Sequence, residues 1–347
     1  MVFTLTNTIG KYAKNPLGAP VNWVAVGGGG LIANSANGNI WTAAATKGGL
    51  TNGLGVAYGK DEFGNERWVA VGGTNSSLVA HSPNGINWTA ATSKGNLTIE
   101  VFGVAYGKDE SGTTGRWVAT GHSGRIAYSP NGKDWTATDS SGGLSSSINA
   151  VAYGKDGSGI GRWVAVGGGS LIAYSADGSN NWTAAASVGG ITNSGRDIAY
   201  GKDEFGNGRW VVVGQGGLIA HSPNGINWTP AATKGGFIGY GLSVAYGKDG
   251  SGIGRWVATG DGSLIAHSPN GNEWTAAATK GGIATYGWCV AYGKDEFGTG
   301  RWVAGGQNGV IAHSPDGNEW TAAASFGGIT GAVRGVAFKD LLEVNYL

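Results

Sequence analysis

The stretch Arg255–Gly300 reads RWVATGDGSLIAHSPNGNEWTAAATKGGIATYGWCVAYGKDEFGTG, and close variants of it fill most of the 347-residue chain. Seven copies begin at Asn22, Arg67, Arg116, Arg162, Arg209, Arg255 and Arg301, each followed by a tryptophan. Successive tryptophans lie 45, 49, 46, 47, 46 and 46 residues apart. This period predicts a repeat fold in which each unit buries its apolar faces against its neighbours.

Each repeat predicts four short strands, which we name A to D from the innermost outward. In one repeat, A is Cys289–Tyr292, B is Arg301–Ala304, C is Val310–His313 and D is Trp320–Ala323. Strands of four to six residues, rich in Val, Ile, Tyr and Trp and bounded by Gly, Asn and Asp, fit this pattern. No helical periodicity with caps occurs.

The B and C segments, such as RWVAVG and LIAHS, are apolar at consecutive positions, which indicates strands that are covered on both faces. A blade packed between two other blades meets this condition, and four strands in about 46 residues match one propeller blade. A parallel β-helix is the rival repeat fold, but its coils are usually shorter. The sequence therefore favours a propeller.

The count of strands predicts how the ring closes. Seven B-C-D sets occur, and the seven A strands, at Val56, Val104, Val151, Ile198, Val244, Val290 and Val336, each follow a D strand. The first set, at Trp23, therefore lacks an A strand, and the last A strand, Gly335–Phe338, lacks a B strand. Joining them completes a seventh blade and removes the open sheet edges.

The predicted fold is an all-β, seven-bladed β-propeller of four-stranded antiparallel blades, closed by a C-terminal innermost strand that joins the three N-terminal strands. We expect an N-terminal extension at residues 1–21, the propeller at 22–339 and a C-terminal tail at 340–347.

Composition excludes several classes of function. The 69 glycines recur at fixed places in the repeat, so they indicate turn geometry, and 15 tryptophans argue against disorder. Lys+Arg number 23 and Asp+Glu 22, which gives no electrostatic basis for binding nucleic acid or anionic membrane.

Cys289 is the only cysteine, so no intramolecular disulfide or thiolate cluster is possible. The sequence shows neither a signal peptide nor a membrane-spanning apolar run, so membrane insertion is not expected.

The C-to-D turn carries the clearest local motif, which reads SPNGINW at Ser82–Trp88 and SPDGNEW at Ser314–Trp320. Its Asn or Asp can accept hydrogen bonds from backbone amides, its Gly permits positive φ, and its Trp can plug the turn against the blade. Since Asn replaces Asp in most repeats, the role needs an acceptor and not a charge. The predicted structural pairs are Asn37 and Trp41, Asn84 and Trp88, Asn131 and Trp135, Asp177 and Trp182, Asn224 and Trp228, Asn270 and Trp274, and Asp316 and Trp320.

This turn resembles the Asp-box (BNR) of sialidase-type propellers, in which the box is generally structural and the active site lies elsewhere. A sialidase would need three converging arginines, a Tyr-Glu pair and an acidic Asp. The arginines here mostly open strand B and are spread by symmetry around the ring, so no catalytic residues are predicted and an enzyme is a third and unfavoured reading.

The repeat pattern WVAVG…G.IA.S.DG..WT…VAYG, which covers residues 22–339, resembles that of repeat proteins from bacteriophage tails and other virion structures. Seven-bladed bacterial lectins and photosystem assembly factors are similar too, although the targeting segment expected of the latter is missing. The resemblance implies a virion location after assembly in a host cytoplasm, with a bacterial cytoplasmic protein or release by lysis as the alternative.

Two sets of polar residues were considered as metal sites. His81, His221, His267 and His313 share one repeat position with Asn34, Tyr128 and Tyr174, which indicates a hydrogen-bonding or packing position. The KDEFGNE-type loops between A and B lack the ligand spacing of a calcium loop and read as solvated hairpins. No metal and no cofactor is predicted.

The candidate binding face is the one on which the repeats differ. The A-to-B and C-to-D loops share one face and are nearly uniform, whereas the B-to-C turns and D-to-A segments on the opposite face vary. Aromatic residues concentrate in the D-to-A segments, and loops on a rigid scaffold often carry binding sites. The alternative is that they fill the channel or pack between blades. The candidate ligand-binding residues are Phe102, Phe237, Tyr240, Tyr286 and Trp288.

The sequence thus predicts a non-enzymatic binding or structural propeller, most simply a virion surface protein (tail fibre, spike or capsid-attached) that contacts host glycan or a neighbouring virion subunit. A free bacterial lectin is the alternative, and a homo-oligomer is possible for either.

Overall fold

The computed structural model describes residues 20–73, 78–108, 114–139, 141–249, 251–295 and 297–339. In these residues, strands form seven four-stranded antiparallel sheets arranged in a ring. The predicted all-β, seven-bladed propeller is confirmed. Residues 1–19 and 340–347, which make up most of the predicted extension and the whole predicted tail, lie outside the described residues.

The strands follow one another in the same order in every blade. Blade 1 contains β1 (Trp23–Gly27), β2 (Ile32–Ser35) and β3 (Thr42–Ala43), and blade 2 contains β4 (Gly53–Lys60), β5 (Glu66–Gly72), β6 (Val79–Ser82) and β7 (Thr89–Ala90). Blade 3 contains β8 (Val101–Lys108), β9 (Gly115–Gly121), β10 (Ile126–Ser129) and β11 (Thr136–Ala137), and blade 4 contains β12 (Ile148–Lys155), β13 (Gly161–Gly167), β14 (Ile172–Ser175) and β15 (Thr183–Ala184). Blade 5 contains β16 (Gly195–Lys202), β17 (Gly208–Gly214), β18 (Ile219–Ser222) and β19 (Thr229–Pro230), and blade 6 contains β20 (Gly241–Lys248), β21 (Gly254–Gly260), β22 (Ile265–Ser268) and β23 (Thr275–Ala276). Blade 7 contains β24 (Gly287–Lys294), β25 (Gly300–Gly306), β26 (Ile311–Ser314) and β27 (Thr321–Ala322), and β28 (Val333–Phe338) returns to blade 1. Short 3-10 turns at Gly28–Gly30 and His122–Gly124 connect B to C in blades 1 and 3.

Strand lengths differ from the predicted four to six residues. Most A strands have eight residues and most B strands seven, whereas D strands have two. Strand D begins after the tryptophan because the amide of Trp320 leaves the ladder and donates to Thr279 Oγ1 of the preceding blade at 2.5 Å. The same hydroxyl donates to the Trp320 carbonyl at 3.1 Å, so this reciprocal pair joins neighbouring blades.

The B strands form the centre of each blade and are covered on both faces, as their continuous apolar sequence predicts. In β17, Trp210, Val211, Val212 and Val213 are all fully buried. One face packs within the cluster of its own blade and the other within that of the next blade. Burial of large side chains on both faces supplies the main stabilisation of the ring.

In six of the seven blades, an aromatic ring from the A strand packs against a glycine of the preceding blade. Tyr200 contacts Trp210 of its own blade with ring centroids 4.7 Å apart, and a Cβ at Gly154 of the preceding blade would lie 2.2 Å from the Tyr200 ring. Glycine at this position is therefore required by a close approach. The same arrangement repeats at Gly59, Gly107, Gly201, Gly247 and Gly293, which lie against Tyr106, Tyr153, Tyr246, Tyr292 and Phe338.

The two chain ends close the ring as predicted. Strand β28 pairs antiparallel with β1, with Val336 opposite Ala25 and Phe338 opposite Trp23, and the last two rings lie 5.0 Å apart. Lys339 stands where the other blades have the glycine, and its Nζ lies 2.5 Å from Glu66 Oε2 of blade 2. An ion pair thus occupies the seam at which the aromatic–glycine contact is missing.

The C-to-D turn has the geometry that its sequence predicts. In blade 7, Asp316 Oδ1 accepts from the amides of Asn318 and Glu319, both at 2.9 Å, and Ser314 Oγ accepts from Gly317, whose φ is +76°. Trp320 Nε1 donates to the Gly317 carbonyl at 3.1 Å. In blade 2 the Asn84 side chain accepts two amides at 3.0 Å in the same way. A neutral amide and a carboxylate therefore fill one turn-stabilising role.

The aromatic–glycine contact predicts a sharp difference between two glycines of blade 4. Gly154→Ala places a methyl group against the Tyr200 ring, so we expect a loss of about 1–3 kcal/mol in the free energy of unfolding. Gly157→Ala is the matched control, because a Cβ there has no atom within 4 Å. Urea unfolding of both variants checks the prediction, and equal stabilities would contradict it.

Closure predicts that the last strand can be supplied from outside. A chain truncated after residue 330 lacks β28 and exposes the edge of β1, so we expect aggregation or loss of cooperative unfolding. A chain that ends at Lys339 serves as the control. Addition of a synthetic peptide spanning residues 331–339 should restore the unfolding transition of the truncated chain, and a peptide with the same residues scrambled should not.

Candidate functional site

Each A strand contains one extra residue near its beginning. In β16, Gly195 pairs with Gly214 and Asp197 with Val213, so Arg196 is left out of the ladder as a β-bulge. Because a bulge residue pairs with nothing across the ladder, pairing does not fix its identity, and bulges often re-aim side chains at functional sites. The equivalent residues, which we call the bulge ring, are Leu54, Phe102, Asn149, Arg196, Leu242, Trp288 and Arg334.

The bulge ring lines a cavity of about 260 Å³ at one end of the central channel. It lies where the A strands begin, which is the face of the variable D-to-A segments. The residue that follows each bulge residue in the chain also lines the cavity. These residues are small or polar: Gly55, Gly103, Ala150, Asp197, Ser243, Cys289 and Gly335. The volume is close to the lower limit of ordinary small-molecule sites, about 300 Å³. We call this cavity the channel mouth.

Four of the five predicted ligand-binding residues lie at the channel mouth. Phe102 and Trp288 line it. Tyr286 stacks on Trp288 with centroids 4.9 Å apart and an interplanar angle of 23°, and it remains 38% exposed. Tyr240 lies under the guanidinium of Arg196, with 5.3 Å from the carbon to the ring centroid. Two of these residues thus line the cavity, and Tyr286 and Tyr240 contact the lining residues Trp288 and Arg196.

The prediction for Phe237 has to be revised. Its side chain is only 3% exposed and packs in the hydrophobic cluster between blades 5 and 6. Leucine or isoleucine fills the same repeat position elsewhere, at Leu50, Leu97, Leu144, Ile191, Ile283 and Ile329, and all are buried. Phe237 is thus a larger member of a core position and does not face a ligand.

The sequence reading did not include the two arginines of the channel mouth. Arg334 lies over the Trp288 ring, 4.3 Å from its centroid, and Arg196 lies over Tyr240. In the part of the chain that the structure describes, neither has a carboxylate within ion-pair distance. The signal in the sequence is the residue two positions before VAYG, which varies widely in size and charge among the repeats and is arginine in two of them.

The carboxylate of Asp197, at the channel mouth, accepts hydrogen bonds from its own strand and from β20. Asp197 Oδ2 accepts from Ser243 Oγ at 2.7 Å and from the Val244 amide at 2.9 Å, and Oδ1 accepts from the Ile198 amide at 2.8 Å. Burial raises the pKa of Asp197 to about 6 against the opposing effect of these bonds. Burial likewise raises the pKa of the Cys289 thiol to about 12, so this thiol stays protonated.

The shared histidine and tyrosine position contacts the arginine that opens strand B. His81 Nδ1 lies 3.2 Å from Arg67 Nη1, and Arg116 lies over the Tyr128 ring with 5.0 Å to its centroid. Burial, followed by the charge of Arg67, lowers the pKa of His81 to about 4. The geometry agrees with a packing and hydrogen-bonding role for this position.

The A-to-B loops use their first carboxylate internally. Asp61 accepts from the amides of Phe63 and Asn65 and lies 3.3 Å from Arg67, and four other blades repeat the Asp–Arg pair. The loop tips are more apolar than a solvated hairpin suggests, because Phe63 and Phe205 are each 82% exposed. Among the described residues no three His, Cys, Asp or Glu side chains are grouped as a metal site would need.

Comparison with known proteins shows the fold alone. No protein-family model matches the chain, and no curated protein matches it. Among solved structures, it is similar to YCF48 from Cyanidioschyzon merolae, with 17% identity, a TM-score of 0.55 and coverage of 91% of this chain and 90% of that one. It is also similar to YCF48 bound to a D1 peptide (15%, 0.51, 80% and 82%) and to the computationally designed protein Ika8 (14%, 0.56, 92% and 91%). No helix in the described residues has the length and hydropathy needed to cross a bilayer.

The lowered histidine pKa predicts a specific acid sensitivity. His81 is neutral in the folded protein down to about pH 4, whereas the unfolded chain binds a proton near its ordinary value of 6.5. Its contribution to stability is therefore complete above that value and is lost as the pH falls towards about 4.

His81→Tyr supplies the residue that blades 3 and 4 use at this position and removes the titration. From about pH 7 to about pH 4.5 the wild type should lose more free energy of unfolding than this variant, by on the order of 1 kcal/mol after allowance for partial solvent exposure. Urea unfolding across this range checks it, with His122→Tyr on an exposed turn as the control. Parallel pH profiles for wild type and His81→Tyr would contradict the prediction.

Proposed function

We propose that this propeller is a binding protein without catalytic activity and that it meets its partner at the channel mouth. The observation that carries the proposal is the bulge ring. Blades that otherwise repeat nearly the same sequence carry residues of very different size and charge at the unpaired bulge of strand A, and these seven residues line one cavity. A symmetrical scaffold with an asymmetrical centre is suited to recognition of one ligand.

The setting we propose is the surface of a virion, as part of a tail fibre, spike or capsid attachment. The resemblance of the repeat wording to Asp-box proteins of bacteriophage tails supports it, and so does the C-to-D turn geometry of the Asp-box type. The partner there is host glycan or a neighbouring virion subunit.

The Tyr286–Trp288 pair favours glycan over a flat protein surface. The Tyr286 ring, which stacks on Trp288 and is 38% exposed, presents an apolar face beside the charged groups of the cavity. Amphipathic aromatic rings are suited to ligands that combine apolar faces with polar edges. A free bacterial lectin with the same site is the alternative setting.

A second candidate is binding of a peptide segment. One of the similar structures is YCF48 bound to a D1 peptide, so a propeller of this fold can hold a peptide. In this chain the partner would then be a segment of a neighbouring protein.

Mass spectrometry of purified particles tests the setting. We expect peptides of this chain in particles that have been washed at high salt, at a constant ratio to a known structural subunit. Particles that lack the chain while the lysate contains it would refute the virion setting.

A glycan array tests the contact itself. We expect Trp288→Leu, which introduces the residue of blades 2 and 6, to weaken binding to any glycan hit by about tenfold or more. Phe205→Ala on the opposite face is the matched control and should bind as the wild type does. Binding that is unchanged in Trp288→Leu would move the contact away from the channel mouth.

A further inference from the structure

Two guanidinium groups, those of Arg196 and Arg334, stand at the channel mouth. Arg196 on β16 and Arg334 on β28 are separated by two strands, β20 and β24, on one side and by three on the other, so they flank the cavity from nearly opposite sides. Within the described residues neither forms an ion pair, whereas the strand B arginines of five blades do. Two like charges facing one small cavity raise the electrostatic potential there.

Both arginines are held in place by contacts that leave their donors available. Arg334 rests on the face of Trp288 and Arg196 on the face of Tyr240. A guanidinium donates through N–H groups around its edge, so stacking on its face orients the group without using those donors. Groups already oriented lose less conformational freedom when a ligand binds.

A third donor lies in the same place. The indole N–H of Trp288 is buried and has no acceptor among the described residues. Some strand B indoles share this property, but they are enclosed between blades, whereas Trp288 lines the cavity. The Trp288 nitrogen is itself enclosed, so the donors that a ligand in the cavity can reach are those of the two guanidinium groups.

Among the described residues, Asp197 of the cavity lining forms no ion pair with either arginine, so its single charge offsets their two charges only in part. Asp197 is occupied by Ser243 and by the backbone amides of Ile198 and Val244. The other polar residue of the ring, Asn149, donates through its amide nitrogen to Ser194 Oγ and to the Gly195 carbonyl. The polar groups of the cavity that remain available to a ligand are therefore the N–H donors of Arg196 and Arg334.

We propose that the channel mouth is an oxyanion site in which Arg196 and Arg334 hold one carboxylate, sulfate or phosphate group of the ligand, while Tyr286, supported by Trp288, packs against the part that bears it. The inference rests on the proposed function only in that the partner meets the channel mouth. Leu54, Phe102 and Leu242 complete the ring with apolar surface, which limits the polar contact to one small group.

Calorimetric titration of the full chain with small probes tests the site directly. The probes are sulfate, phosphate, acetate and glucuronate as sodium salts, with glucose as the neutral match for glucuronate, all at constant ionic strength. We expect binding of the anions with dissociation constants on the order of 1 mM and none of glucose. Glucuronate tighter than acetate identifies an acidic sugar as the source of the group, and tighter binding of sulfate or phosphate identifies a tetrahedral anion.

Variants drawn from other blades separate the site from general salt effects. Arg196→Leu and Arg334→Leu introduce the residue that Leu54 and Leu242 supply at the same bulge, so folding should be retained, as the unfolding midpoint without anion will show. Each should weaken anion binding by about tenfold, and the double variant should abolish it. Arg125→Leu, on the same face but outside the cavity, should bind as the wild type does. Equal anion responses in wild type and double variant would overturn the proposal.

The two proposals fail in different ways. Particles that contain the chain, together with a wild type that binds no anion, would overturn the oxyanion site and leave the virion proposal standing. Anion binding that depends on Arg196 and Arg334 in a chain absent from particles would do the reverse.

Discussion

The ring depends on one contact repeated in six of its seven blades, in which an aromatic side chain of the innermost strand lies between the tryptophan of its own blade and a glycine of the blade before it. Tyr200 between Trp210 and Gly154 is one instance, and a single added methyl group at Gly154 would overlap the Tyr200 ring. Since the contact links each blade to the previous one, no blade is packed independently. The chain ends obey the same rule, because Phe338 supplies the ring for blade 1 and an ion pair from Lys339 to Glu66 spans the seam.

Ring stability and the lining of the channel mouth depend on different parts of one strand. The second half of each A strand carries the VAYG motif and holds the blades together, whereas the bulge near its beginning carries a residue that the ladder does not pair. The VAYG residues are therefore nearly the same in every repeat, whereas the bulge residues differ. The cavity obtains its asymmetry from this second set, in which two cations, an amide, two aromatic rings and two leucines occur in turn.

The fold could be predicted from sequence because the period, the strand count and the missing A strand at Trp23 all follow from repetition. The C-to-D turn could be predicted because the acceptor, the glycine and the tryptophan act locally. The prediction for Phe237 was wrong because an aromatic residue in a variable segment suggests a binding site. Its repeat position is a buried core position, which Leu97 and Leu144 fill in other blades. Arg196 and Arg334 were not predicted because a β-bulge is defined by the pairing of two strands. The sequence of one strand alone does not show where the register shifts.

The bulge has a consequence for how such a protein changes over generations. A substitution at a paired position must satisfy two strands and two blades at once, and most substitutions there destabilise the chain. At the seven unpaired positions, leucine, phenylalanine, tryptophan, asparagine and arginine already coexist on one backbone. Single substitutions at these positions should therefore alter the lining of the channel mouth while the paired residues that hold the ring stay the same.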